Sequence, residues 1–338
     1  IMSIKSIKMK KYYLPTLLPT SFKLLIGAGG IYSAFLYYGS LQEDVFQFKS
    51  EDGASFKQAW FLQFLESFCN VTVAYAGMKL NGITKGIPLK SFVIVGAAQV
   101  SAKACTSLAL ANGLSFPLAI LAKSGKMAPV MIGSLLIGGE KYKIREYLRV
   151  LAIMGGTVIV SMGKKKVSSP NSSLLGISYI LVSLALDGVI AGFQKKLNVE
   201  TTKAGINPKP YDLMFWTNAF MCFTATIFTY CLGDFTSGIE FCKANPEIRM
   251  KILKFSCCSA IGQSFIFYTI AHFDPLVLST ITTTRKIFSV ILSIFIKGHS
   301  LSLFGWSGIA LAFGGILSEL KIFNRKHTEK LVHYHSEK

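Results

Sequence analysis

The feature that most constrains the fold of this chain is a series of ten apolar segments of bilayer-spanning length. A helix needs about 20 mostly apolar residues to cross the hydrocarbon core of a membrane. Short connections with Gly, Pro, Asn or charged residues separate the segments. The pattern predicts an all-α membrane protein with ten transmembrane helices, near residues 22–39, 56–78, 90–111, 116–138, 147–163, 173–194, 212–233, 251–271, 276–296 and 303–322.

Composition agrees with a surface that faces lipid. Only 16% of the 338 residues are charged, against about 25% in soluble domains. The net charge is +19, but most Lys and Arg lie in short loops, as in other membrane proteins, so the charge does not indicate a nucleic-acid partner. These loop charges are more numerous on the side of the two termini, which predicts cytosolic termini, although Lys164, Lys165 and Lys166 lie on the opposite side.

The sequence also repeats itself weakly. Ser101-Ala102 recurs as Ser259-Ala260, and Pro117-Leu118 recurs as Pro275-Leu276 at the same separation. Five helices in each half would place the second copy upside down, as in transporters with inverted repeats. We predict a single transmembrane transporter domain, residues 1–338, with two inverted five-helix repeats. It divides into a basic cytosolic N-terminus (1–21), a first repeat (22–163), a second repeat (173–322) and a cytosolic tail (323–338).

Charged residues interrupt the predicted spans. They are Glu66, Lys103, Lys123, Lys126, Asp187, Arg285 and Lys286. A charge at the bilayer centre costs about 2.5–3.5 kcal/mol on insertion scales. Five bases against two acids leave a surplus of about three positive charges, which matches a diphosphate or triphosphate. A bundle tolerates this surplus if the cations line a wet cavity that an anion enters.

Four of these cations form two groups at nearly equivalent depth in the two halves. Lys123 and Lys126 are three residues apart and therefore share one helix face. Arg285 and Lys286 are adjacent, and Thr284 is the repeat equivalent of Lys126. Arg offers a planar fork to phosphate, and Lys offers a mobile point charge. We therefore expect these helices to form a substrate anion site.

The remaining charges and polar motifs allow more than one explanation. We predict that Glu66 and Lys103 form a structural ion pair on neighbouring helices. Asp187-Gly188 either supplies an acid for a cation or forms a notch for helix packing. The chain has no GxxxxGK[ST] loop, and its His residues are scattered, so we predict no ATP hydrolysis, no catalytic residues, no metal site and no cofactor.

At these positions the sequence resembles a known family. The motifs that carry the resemblance are Tyr37-Tyr38-Gly39, Leu41-Gln42-Glu43, Lys123-Ser124-Gly125-Lys126, Pro129-Val130-Met131, Leu186-Asp187-Gly188, Gly262-Gln263-Ser264-Phe265-Ile266-Phe267 and Thr282-Thr283-Thr284-Arg285-Lys286. They are similar to motifs of the nucleotide-sugar transporters in the drug/metabolite transporter superfamily. The last two resemble the endoplasmic-reticulum subgroup of UDP-galactose transporter homologues (solute carrier family 35, B subfamily), one branch of which is regarded as an ATP/ADP exchanger. The resemblance extends from about residue 24 to 320.

The resemblance implies ten helices, cytosolic termini and a central nucleotide site. The candidate substrate-binding residues are Lys123, Lys126, Arg285, Lys286, Glu43, Gln263, Thr284 and Tyr38. Tyr38 is one of several aromatic residues that could stack on a base, although single aromatic residues more often pack or anchor the chain at the membrane interface.

The implied function is a nucleotide-sugar/nucleotide antiporter of the endoplasmic reticulum membrane, with the Golgi membrane as the alternative. UDP-galactose or UDP-glucose would enter the lumen by exchange; strict ATP/ADP exchange is the alternative within transport. The expected partners are the nucleotide substrates and membrane lipid, and a homodimer stays open. Two further classes are a membrane-embedded transferase, which needs an acid/base pair or metal carboxylates near the cations, and a non-transporting scaffold, which needs no buried cations.

Overall fold

A computed structural model describes most of the apolar part of the chain. The described residues are 20–124, 170–206, 208–273, 275–296 and 302–315, with a few single positions between 129 and 159. Lys126, most of the fifth predicted span and the two terminal segments lie outside them.

Within these ranges the protein is helical. The helices are α1 (Thr20–Gln47), α2 (Ala59–Asn81), α3 (Leu89–Ala111), α4 (Phe116–Ser124), α5 (Pro170–Lys203), α6 (Pro210–Cys231), α7 (Asp234–Ala244), α8 (Pro246–His272), α9 (Pro275–Ile296) and α10 (Leu303–Gly315). Each helix overlaps one of the predicted spans except α7, which no predicted span covers. Most of the fifth span, most of the second half of the fourth and the end of the tenth lie outside the described residues. The all-helical prediction is confirmed for the described part of the chain.

Fewer of the described helices are long and apolar enough to span a bilayer than the sequence pattern predicts. Among the described residues, three are long and apolar enough to cross a bilayer: Ser21–Gln47, Leu89–Ala111 and Leu174–Gln194. A fourth would be α6 joined to α7, with a bend of 85° between them. Other long helices carry polar side chains inside the bundle, such as Gln63, Glu66 and Asn70 on α2. The count of ten spans and the two repeats stay predictions.

Three pairs of long helices make the most extensive contacts. They are α1 with α8, α2 with α6, and α3 with α5, while α8 also packs on α2 and α3 also packs on α6. The short helix α4 lies against α9. Gly30 of α1 allows close approach to α8, because the ring of Phe265 occupies the space that a Cβ on residue 30 would need. This packing brings α1, α3, α4 and α9 together around a common interior.

The distribution of polarity is that of a membrane protein. Large apolar side chains point outward, among them Leu174, Leu181 and Phe223, which are 70%, 59% and 65% exposed. Carboxylate and amide side chains lie inside, including Glu43 and Glu66. The predicted first span ends at residue 39, but α1 continues to Gln47 and thereby buries Glu43. The charged and polar side chains therefore lie in the interior of the helix bundle, and the apolar side chains lie on its outer surface.

Candidate substrate-binding site

A cavity of about 180 Å³ lies between α1, α3, α4 and α9, and we call it the cation cavity. Its wall includes Tyr38 and Gln42 of α1, Lys123 of α4, and Arg285 and Lys286 of α9. The structure thus brings Lys123, Arg285, Lys286 and Tyr38, four of the predicted site residues, to one cavity. Both helices that the sequence singled out for their cations, α4 and α9, contribute to its wall.

The contacts of the Arg285 guanidinium show how this cation is held in the wall of the cation cavity. Its guanidinium lies over the ring of Phe35, with Cζ 4.9 Å from the ring centroid. Such cation–π contact stabilises a charge without neutralising it. Within the described part of the protein, Arg285 Nε is buried and has no hydrogen-bond partner. The guanidinium therefore retains at least one donor for a ligand.

Lys123 is held at the boundary of the cavity by an acid. Its Nζ donates to Asp187 Oδ2 at 2.5 Å and to Ser183 Oγ at 2.8 Å. Ser183 donates in turn to the carbonyl oxygen of Ala102 on α3. Asp187 therefore supplies an acid for a cation. The adjacent Gly188 also serves packing, because a Cβ there would lie 2.6 Å from the carbonyl oxygen of Pro129.

A second cavity, of about 250 Å³, adjoins the first, and we call it the amide cavity. It shares Tyr38, Gln42, Thr106 and Lys123 with the cation cavity. Its other lining residues are Gln63, Gln99, Ala102, Lys103 and Asp187. Ligand pockets in proteins usually measure about 300–1,000 Å³. Either cavity alone is smaller than this range, and the four residues that they share place the two side by side.

Glu66 is the centre of a buried polar network beside the amide cavity. It accepts hydrogen bonds from Lys103 Nζ at 2.6 Å, from Ser259 Oγ at 2.6 Å and from Tyr38 OH at 3.3 Å. The predicted ion pair between Glu66 and Lys103 is confirmed. The network joins α1, α2, α3 and α8, and Tyr38 is further fixed by stacking on Phe255 at 4.2 Å between ring centroids.

The remaining predicted site residues lie at the edge of these cavities or away from them. Thr284 of α9 accepts a hydrogen bond from Tyr32 OH at 2.5 Å. Gln263 of α8 accepts one from Asn218 Nδ2 at 3.1 Å and is not part of either wall. Glu43 is 2% exposed, accepts a hydrogen bond from Gln47 Nε2 at 3.0 Å and borders a smaller cavity between α1, α4 and α9.

Glu43 changes the expected charge balance of the interior. The sequence count used two acids, because the predicted first span ended before residue 43. Glu43 is buried, and so is Asp212 at the start of α6. Together with Glu66 and Asp187 they give four acids against the five bases, so the surplus is about one, not three. One of the five bases, Lys126, lies outside the described residues. The surplus still has the sign that an anionic ligand requires.

Several residues that line the cavities were not among the predicted site residues. Gln42, Gln63, Gln99 and Thr106 line the cavities, but a search for charges inside apolar segments passes over neutral polar side chains. Gln63 precedes Glu66 by three positions and therefore shares its helix face. Gln99 precedes Lys103 by four positions, so the same rule applies to it. This spacing was a usable signal in the sequence.

Comparison with known proteins gives consistent results over almost the whole chain. A family model described as the UAA transporter family matches residues 23–322. The UDP-galactose/UDP-glucose transporter 3 of Arabidopsis thaliana is 32% identical over 308 residues, which cover 88% of this chain and 91% of that protein. The solute carrier family 35 member B1 of Dictyostelium discoideum is 34% identical over 320 residues, with coverage of 92% and 80%.

A yeast protein and a solved structure extend the comparison. The UDP-galactose transporter homolog 1 of Kluyveromyces lactis is 31% identical over 317 residues, which cover 88% of this chain and 92% of that protein. A crystal structure of another protein aligns with a TM-score of 0.54 and 13% identity, and covers 90% of this chain and 98% of that one. At 13% identity, the similarity to this crystal structure concerns the fold alone.

Proposed function

Since the chain belongs to the UAA transporter family, we propose that it exchanges nucleotide sugars for nucleotides across the endoplasmic reticulum membrane. UDP-galactose or UDP-glucose is the proposed cargo, in keeping with the names of the Arabidopsis and Kluyveromyces relatives. The family and these relatives are transporters, so the protein is a transporter and not an enzyme. The comparisons give no support to a transferase or a scaffold.

The observation that carries the proposal is the meeting of Lys123, Arg285 and Lys286 on one cavity wall. Burying cations is costly unless a partner neutralises them. Asp187 does this for Lys123, whereas Arg285 keeps a buried Nε donor that no described residue occupies. A diphosphate supplies two negative charges and several acceptor oxygens, and Arg binds such groups with a planar set of donors. The aromatic rings of Phe35 and Phe116 line the same cavity. This combination of cations and aromatic rings suits a nucleoside diphosphate.

The helix contacts support two equivalent halves. Suppose that α1, α2 and α3 of the first half correspond to α5, α6 and α8 of the second. Exchanging the two halves then converts the helix pair α1–α8 into α5–α3, and the pair α2–α8 into α6–α3. All four of these helix pairs are in contact in the structure, and the pair α2–α6, which is also in contact, is converted into itself. We infer that α4 and α9, which also contact each other, are equivalent. Alternating access would then rock one half against the other around the cation cavity.

Coupled exchange follows from the charges of this cavity. When the cavity closes without a ligand, the water around its cations is removed, and like charges in a lowered dielectric repel each other by several kcal/mol. A bound diphosphate cancels this repulsion. The loaded carrier therefore reaches the occluded state faster than the empty carrier, because the ligand binds that state more strongly. A nucleotide sugar would enter as a nucleotide leaves, without hydrolysis.

Substrate specificity is tested with purified protein in liposomes. Uptake of labelled UDP-galactose, UDP-glucose, ATP and ADP is compared at equal concentration, with protein-free liposomes as the control. The proposal predicts that the UDP-hexoses enter faster than ATP or ADP. Faster uptake of ATP and ADP would establish the alternative exchanger instead, and no uptake of any of the four would overturn a nucleotide-transport function.

A further inference from the structure

The side chain of Gln63 is an unusual feature of the amide cavity. It is 1% exposed, yet neither its amide nitrogen nor its amide oxygen has a hydrogen-bond partner in the described protein. The amide oxygen of Gln99, across the same wall, is also buried and without a partner. Buried polar atoms in native proteins are nearly always hydrogen-bonded, so each exception requires an explanation. Two such amides on one cavity wall indicate a ligand with matching groups.

The chemistry of the two cavities differs. The cation cavity contains the rings of Phe35 and Phe116 together with the cations of α9. Among the described residues that line the amide cavity, Tyr38 is the one aromatic side chain. A nucleobase gains from aromatic faces on which it can stack. A sugar gains from side chains that both donate and accept hydrogen bonds, as the amides of Gln63 and Gln99 do.

We propose that the amide cavity is the subsite for the hexosyl group of the substrate, with Gln63 and Gln99 as specificity-determining residues. This inference rests on the proposed transport of nucleotide sugars. The nucleoside diphosphate occupies the cation cavity, and the hexose extends past Tyr38 and Thr106, which both cavities share. Gln63 and Gln99 donate to and accept from the sugar hydroxyls, which satisfies the amide atoms that have no partner among the described residues.

Asp187 also belongs to the lining of this subsite. It lines the amide cavity and is fixed by Lys123, which lines both cavities. A carboxylate that is oriented by a lysine accepts hydrogen bonds from hydroxyl groups but repels a phosphate. The acid therefore favours the neutral end of the substrate in the amide cavity and leaves the diphosphate to the cation cavity. Lys123 lies at the junction of the two.

The test compares Gln63→Met and Gln99→Met with Gln194→Met, a matched change at an exposed position on α5. Met has a similar volume to Gln and removes the amide. Dissociation constants for UDP-galactose and for UDP are measured on each full-length protein in detergent. Loss of neutral hydrogen bonds should weaken UDP-galactose binding on the order of tenfold in Gln63→Met and less in Gln99→Met. Binding of UDP should change less than about twofold, and Gln194→Met should bind both ligands normally.

Stability separates this role from a structural one. Because the amide atoms of Gln63 have no partner among the described residues, Gln63→Met removes an unsatisfied group and should leave the thermal midpoint of the protein without substrate unchanged or higher. A lower midpoint together with equal weakening of UDP and UDP-galactose would assign Gln63 a structural role and overturn the subsite. Unchanged UDP-galactose binding in both variants would also overturn it. The dissociation constants of the wild-type protein test the proposed function separately. If the wild-type protein does not bind UDP-galactose, transport of this cargo is contradicted, whatever the variants show.

Discussion

Disruption of the ion pair between Glu66 and Lys103 should destabilise the bundle, and the two single variants should differ. Breaking a buried pair from one side costs about 3–5 kcal/mol, because the other charge stays buried without its partner. The Lys103 side chain is 28% exposed, so Glu66→Gln leaves a partly solvated ammonium, and we expect a loss of about 3 kcal/mol. The Glu66 side chain is 1% exposed, so Lys103→Met strands a carboxylate and should cost about 4 kcal/mol.

The double variant Glu66→Gln/Lys103→Met distinguishes a true pair from two independent contributions. Independent losses would add to about 7 kcal/mol, whereas removal of both charges should cost no more than the worse single variant. Glu66 also accepts hydrogen bonds from Ser259 and Tyr38, and the amide oxygen of Gln can still accept them. The coupling energy should therefore be at least about 3 kcal/mol.

Chemical denaturation in mixed micelles measures these free energies of unfolding, and thermal melts in detergent check their order. The matched control is Glu240→Gln/Lys243→Met on α7, where both side chains are exposed three positions apart. A pair of this kind contributes about 0.2–0.5 kcal/mol, so its coupling energy should lie near that value. Additive losses at Glu66 and Lys103, or a single variant as stable as the wild type, would refute the reasoning.

Two further changes address the cation cavity and the packing of α5. Arg285→Ala and Lys126→Ala should each lower uptake roughly 10- to 100-fold, which corresponds to the loss of one charged hydrogen bond. The control Arg249→Ala, on the exposed start of α8, should transport normally. Near-normal uptake by both site variants at equal protein levels would show that the site does not lie on these helices. Gly188→Ala should lower the thermal midpoint by the equivalent of about 1–3 kcal/mol, because the new Cβ would clash with the Pro129 carbonyl oxygen. The control Gly29→Ala, with open space around the new Cβ, should be neutral or stabilising. Equal midpoints for the two variants would contradict this packing of α5.

Charge arithmetic predicted much of the interior but not its detailed pairing. Glu66 and Lys103 were predicted as a pair because an unpaired charge among apolar residues is costly, and the structure confirms them. The same cost applied to Lys123, but sequence alone cannot show that Asp187, 64 positions away, is near enough to bind it. Tertiary contact between α4 and α5 decides that pairing.

The limits of the sequence reasoning lie at helix ends and at neutral polar residues. Hydropathy falls after residue 39, so the pattern ended the first span there, whereas backbone hydrogen bonding continues α1 to Gln47 and buries Glu43. Gln63 and Gln99 carry no charge and do not interrupt an apolar segment, so they attracted no attention. Their significance depends on hydrogen bonds that are absent in the described protein, which only coordinates reveal.

Uptake of labelled UDP-galactose into preloaded and empty liposomes tests the central claim most directly. Both preparations contain the same amount of protein, and only one contains unlabelled nucleotide inside. We expect a much faster initial rate into the preloaded liposomes, because the cations of the cavity repel each other when it closes without substrate and so slow the return of the unloaded carrier. Equal initial rates would show that the empty carrier returns freely and would contradict coupled exchange.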